Sequence, residues 1–207
     1  MAPLTSTTAA VQRVDVGQWT LKNPDGSTPD FSYDILKRRY GGREHSALTY
    51  ARAKLRCWDR DIDSVTPHRD VVVDWMILPP RASDLFMSAH ALWSQLDQET
   101  NWVGEPHLMA GMTIWFEDIE CEHWAVRQAA AFAQAELADK YGVAVHLIAH
   151  APGRIGRGSD FHVHLLCTAR AVRNARFGEF AHGLLHDGCQ ARHKGLWDDW
   201  WEAYPMP

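Results

Sequence analysis

The residues best suited to chemistry stand within Val143–Arg170, VAVHLIAHAPGRIGRGSDFHVHLLCTAR. Two short apolar runs, each reading as a β-strand, flank the Gly- and Arg-bearing loop Ala151–Phe161. Side chains of a strand alternate faces, so His162 and His164 share one face while Val163 and Leu165 take the other. By the same rule His146, Ile148 and His150 share a face. Pairing the two runs as an antiparallel hairpin brings His150 beside His162 and His164. Three imidazoles meeting at one point make a metal site with open coordination positions. The chain holds 12 histidines, and polar residues also alternate on any solvated sheet face, so spacing alone leaves both readings open.

The elements that must position these histidines follow from periodicity and turn chemistry. Residues 1–30 carry Asn23-Pro24-Asp25-Gly26 and Pro29 with little periodicity, which predicts a flexible lead-in, and residues 31–207 read as a single domain. Phe31–Leu36 predicts a short strand and Gly41-Gly42 a break. Glu44–Leu55 predicts a helix with the apolar stripe Ala47, Leu48, Ala51 and Leu55, and Tyr50 and Lys54 on a flank. The apolar run Val71–Leu78 predicts a strand central in a sheet. Ser83 predicts the cap of a helix reaching about Gln98, with Leu85 and Met87 among its core contacts. Leu108–Phe116 reads as another strand. Asp118 then caps a long helix, Ile119–Tyr141, which Gly142 ends in the left-handed conformation.

After Arg170, Gly178, Gly183, Gly188 and Gly195 punctuate a stretch in which order weakens. There His182, His186, Cys189 and His193 have spacings that a structural zinc ion accepts. A hairpin requires antiparallel pairing, and helices of this length need a sheet face to cover. The expected fold class is therefore α+β, with a mainly antiparallel central sheet covered by helices.

Composition narrows the classes. At 207 residues, with 46% hydrophobic and 23% charged content, the chain suits one α+β domain with a full core. No run of apolar residues is long enough to span a membrane. Cys57, Cys121, Cys167 and Cys189 form no CxxC pair, which predicts a reducing, cytoplasmic setting. The net charge of −5 argues against a protein coated in phosphate contacts. Charge is uneven, however: Lys37, Arg38, Arg39, Arg43, Arg52, Lys54, Arg56 and Arg60 crowd a segment holding only Glu44 and Asp59 as acids. That segment reads either as a basic patch or as a solvated helix face.

Several segments taken together resemble the MobA/MobL class of plasmid mobilisation relaxases within the HUH endonucleases. Those are His150 followed by FHVHLLCTAR (Phe161–Arg170), GGREHSALTYAR (Gly41–Arg52), Met76-Ile77-Leu78-Pro79 and Ala91-Leu92-Trp93. Their order and spacing agree over roughly Phe31–Arg170. The resemblance implies nicking of one DNA strand at an origin of transfer, leaving the 5′ phosphate on a tyrosine. It implies Tyr50 as nucleophile and His150, His162 and His164 as ligands of a divalent ion, Mg²⁺ or Mn²⁺. The implied partners are single-stranded origin DNA, accessory mobilisation proteins and a coupling protein. Arg43, Arg52 and Lys54 around Tyr50, with Arg154 and Arg157 among loop glycines, are the expected DNA contacts. The pattern departs from the family at Ala110–Ile114, where carboxylates are expected and none stands; Asp74, Glu117 or Asp118 are the substitutes at hand. The alternative is a relative that binds single-stranded DNA without cutting it.

Overall fold

The computed structural model describes residues 21–24, 28–56, 67–99 and 107–205. Of the expected lead-in over 1–30, residues 1–20 and 25–27 lie outside them. In strand β1 (Phe31–Lys37) Phe31, Tyr33 and Ile35 alternate with Ser32 and Asp34, so that one face is fully buried. Gly41 and Gly42 both adopt positive φ and close the two-residue turn between β2 (Arg39–Tyr40) and β3 (Arg43–Glu44). Then come helix α1 (Ala47–Leu55), strand β4 (Val71–Ile77), helix α2 (Ala89–Gln98) and strand β5 (His107–Phe116). Helix α3 (Glu122–Phe132) runs on through a π-helical stretch, Ala133–Asp139. The hairpin strands β6 (Val145–His150) and β7 (Phe161–Thr168) follow. A smaller hairpin, β8 (Arg170–Arg173) with β9 (Arg176–Phe180), leads to helix α4 (Cys189–Ala203).

The central sheet has the order β1-β5-β7-β6-β4, with every pair antiparallel. This is the expected α+β class. Register sorts its residues onto two faces. Tyr33, Met112, Leu165 and Leu147 lie on one, packed with Ala125, Phe132 and Trp197 from α3 and α4. Ser32, Thr113, His164 and Ile148 lie on the other, whose apolar end is covered by α1 and α2 through Tyr50, Ala51, Leu92 and Trp93. The histidines occupy the remaining end of that second face.

Several local expectations are corrected. Strand β4 is an edge and not central: it pairs with β6 alone, and Trp75 is 51% exposed. An apolar run marks burial but cannot say how many neighbours a strand has. The helix expected from Ser83 is two pieces, a 3₁₀ turn at Asp84–Met87 capped by Ser83 and α2 capped by Ser88. That break turns Leu85 and Met87 out to solvent. Asp118 does not cap the long helix; it sits at φ 48° and α3 begins at Glu122. Gly142 does end the element with positive φ. The stretch after Arg170 is ordered as β8, β9 and α4.

Helix α1 begins at Ala47 and not Glu44 because two caps converge there. Ser46 Oγ accepts from Thr49 N, and the Asp97 carboxylate at the end of α2 accepts from Ala47 N (2.8 Å), Leu48 N (3.1 Å) and Ser46 Oγ (2.6 Å). A carboxylate at a helix N-terminus satisfies orphan amides and opposes the helix dipole. Asp97 thereby pins α1 to α2 above the sheet. Asp97→Ala is expected to lower stability by ~2 kcal/mol in urea unfolding, with Asp97→Asn losing less. A loss below ~0.5 kcal/mol for the alanine variant would show that α1 is held by packing alone.

Candidate metal centre

His150 ends β6 directly opposite His162 on β7, and His164 lies two residues further along the same face. The three ring centroids are 5.0, 5.2 and 5.1 Å apart. One ligand nitrogen from each lies within 4.8 Å of the others. The second ring nitrogens are tied to the protein. His150 Nδ1 donates to Asp70 Oδ2 at 3.2 Å, and His162 Nδ1 donates to the Asp160 carbonyl at 2.9 Å. His164 Nδ1 is joined to Thr113 Oγ1 at 2.8 Å. A carboxylate and a carbonyl only accept, so they fix the proton on Nδ1 and leave the Nε2 lone pair for a cation. Nε2 of His150 is buried without a hydrogen-bond partner. A cation would satisfy it.

Electrostatics favour neutral, ligating rings at His162 and His164. Burial, aided by the charges of Lys54 and the neighbouring histidines, holds His164 well below its ordinary value. His162 is pushed down to about 4, by burial first and then by His150 and Lys54. Burial works to raise the Asp70 carboxyl, but hydrogen bonds from His150 and His68 outweigh it and keep the group ionised. His193, far along the chain in α4, is also pushed down to about 4 by burial. Depressed histidines leave the unfolded chain binding more protons than the folded one below its ordinary value of ~6.5. Stability in chelator is therefore expected to be full above ~pH 6.5 and to fall as pH drops toward 4, by on the order of 3 kcal/mol for each of His162 and His193. Urea midpoints at pH 7.5, 5.5 and 4.5 check this, and a flat profile would contradict it.

Tyr50 is 1% exposed, and its hydroxyl is engaged by Asp34 of β1. This corrects its expected flank position: Tyr50 belongs to the buried stripe with Ala47, Ala51 and Ala53. Burial, and then Asp34, raise the phenol well above its ordinary value, while burial raises Asp34 itself. One turn on, the Lys54 ammonium lies 5.5 Å from the Tyr50 ring centroid and acts on both His162 and His164. Among the other basic residues, Arg43 stands exposed on the β2–β3 hairpin, and Arg52 donates to His90 Nδ1 at 3.3 Å. Arg154, in the 3₁₀ turn Pro152–Ile155 that Gly156 closes with positive φ, forms an ion pair with Glu122. Arg157 is exposed in the same loop. Trp115 adjoins the centre, its ring 6.2 Å from that of His162.

Two supporting residues escape sequence reasoning. Asp70 reads as one of several turn acids, and Thr113 lies in the very stretch that lacks carboxylates. Only pairing shows that Thr113 faces His164 and that Asp70, adjoining β4, reaches His150. Asp74 does not join the centre; it accepts from His146 Nε2 at 2.6 Å. Among the described residues Glu117 and Asp118 are not grouped with the histidines either. Among the described residues the zinc spacing over His182–His193 forms no site: Cys189 Sγ donates to the His186 carbonyl at 2.7 Å, and His193 Nδ1 donates to the Cys189 carbonyl at 2.7 Å. Among the described residues no helix is long and apolar enough to cross a membrane.

No family model and no curated protein matches the chain. A solved structure from work on the molecular basis of vancomycin resistance transfer in Staphylococcus aureus is similar to it, with a TM-score of 0.57. The likeness covers 83% of this chain and 88% of that one at 19% identity. At that identity the likeness is one of fold.

Proposed function

We propose that the chain is a relaxase of the MobA/MobL, HUH kind, acting on one strand of DNA at an origin of transfer. The observation that carries this reading is the His150–His162–His164 cluster, three imidazoles locked from behind by Asp70, Asp160 and Thr113. The fold shared with a protein studied for resistance transfer supports it. The histidines would hold a divalent ion, whose role is to polarise the scissile phosphate and offset charge on its oxygens. An all-nitrogen donor set suits Mn²⁺ better than Mg²⁺, which demands oxygen.

Tyr50 Oη would attack phosphorus, forming the Oη–P bond as the P–O3′ bond breaks. Asp34, hydrogen-bonded to the phenol, would receive its proton, and solvent water would supply the proton that the departing 3′ oxygen takes up. The 5′ phosphate then stays on the tyrosine. Because Tyr50 is covered, its hydroxyl would meet the scissile phosphate only once its side chain leaves the buried stripe of α1. Lys54, Arg43 and Arg157 would meet the backbone, and Trp115 would stack a base.

The same burial of Tyr50 favours a second reading, a relative that binds single-stranded DNA and does not cut it. A denaturing gel of protein with labelled single-stranded origin DNA and Mn²⁺ separates the two. A relaxase gives a shifted covalent adduct that Tyr50→Phe loses to background while keeping DNA affinity within about twofold. Absence of any adduct from the wild-type protein, with DNA affinity intact, establishes the binding-only reading.

A further inference from the structure

On the histidine-bearing face, beside the metal centre, a cavity of about 230 Å³ opens between α1, α2 and the β4 edge. Leu48, Ala51, Leu55 and Ala89 supply apolar walls. Asp74 and His146 stand on the sheet side, and Arg52 and His90 on the helix side. The sheet side is locked into one proton arrangement. The Trp93 indole, fully buried, donates to His146 Nδ1 at 3.2 Å, so His146 must carry its proton on Nε2, which it donates to Asp74 Oδ1 at 2.6 Å. This relay fixes the Asp74 carboxylate at the cavity while leaving Oδ2 for a ligand. Across from it stands the five-donor guanidinium of Arg52, one N–H of which is given to His90 Nδ1.

We infer that this cavity takes one nucleobase of the bound strand and selects guanine. The volume is below the ~300–1,000 Å³ of drug-sized ligand sites and suits a single planar ring system. Apolar walls hold the faces of a base. A carboxylate on one side and a guanidinium on the other match guanine, which offers N1–H and N2–H donors on one edge and the acceptors O6 and N7 on the next. Cytosine, thymine and adenine lack that pair of adjoining edges. Position agrees: His146 and His164 sit on paired strands, offset by two residues, ~8 Å apart by strand geometry. A base in the cavity is thus within reach of a nucleotide whose phosphate lies at the histidines. The inference rests on the DNA-strand reading for its occupant, and not on the tyrosine step.

Anisotropy of labelled 11-mer oligothymidylate, with and without one central guanine, tests it in the presence of Mn²⁺. Wild-type protein is expected to bind the guanine-bearing strand at least tenfold more tightly, and Asp74→Asn or Arg52→Gln to abolish that preference. Adenine or cytosine at the same position should give no such gain. Wild-type protein indifferent to guanine, or Asp74→Asn that keeps the preference in a folded state, overturns the inference. An adduct on the gel with no base preference would leave the relaxase reading standing and remove this one. Should no oligonucleotide bind, dGMP titrated against the ¹⁵N-indole resonance of Trp93, assigned with Trp93→Phe, decides. A saturable shift lost in Asp74→Asn supports the cavity, and no shift rejects it.

Discussion

Replacing His164 with alanine is expected to weaken Mn²⁺ binding by at least ~100-fold in calorimetric titration. His164 is the ring that faces both others, edge-on at 5.2 and 5.1 Å, so its loss leaves two nitrogens where three had converged. The same variant should lose the rise in melting temperature expected of the wild-type protein on adding Mn²⁺. A ligand held only by the folded state adds RT ln(1 + [L]/Kd), ~2.7 kcal/mol at a hundredfold excess over Kd. Stability in chelator serves as the baseline, because removing a buried ring also opens a cavity and strands the Thr113 hydroxyl. Asp70→Asn should cost metal affinity ~10- to 100-fold without touching a ligand, since the carboxylate fixes which nitrogen of His150 carries the proton. Wild-type affinity retained by His164→Ala would mean that the three imidazoles are a buried polar cluster and not a metal centre.

The second large effect is on stability. Trp93→Ala is expected to cost ~3–5 kcal/mol in urea unfolding. Trp93 is the largest fully buried side chain among the described residues and shares a core cluster with Phe86, Ile148 and Leu166 where α2 meets the sheet. Its truncation also leaves His146 Nδ1 without its donor, adding ~1 kcal/mol where water does not replace it. Trp93→Phe separates the two contributions. It keeps most of the volume and should cost only ~1–2 kcal/mol, while freeing His146 to change tautomer and loosen its bond to Asp74. Equal losses for both variants would place the stabilisation in the hydrogen bond and not in packing.

What the amino-acid order determined by itself was short in range. Alternation with period two put His162 and His164 on one face and His146 with His150 on its neighbour, and the turn-rich Ala151–Asp160 between them made an antiparallel hairpin the natural pairing. Positive φ at Gly41, Gly42 and Gly142 likewise fell where glycine was written, because the conformation belongs to the residue itself. The α+β class followed from those elements together.

Tertiary structure alone decided what surrounds the histidines. Asp70 meets a ring 80 residues away, Thr113 one 51 away, and the Asp97 cap reaches back 51 to Ser46. The same holds for Tyr50, whose place on α1 looked peripheral until α1 lay on the sheet with Asp34 beneath it. Strand β4 became an edge only when β6 took β7 on its other side. A local pattern records which face a residue prefers, through the free energy of burying it. Which residue waits on the opposite side is set by the packing of whole elements, and no stretch of sequence carries that by itself.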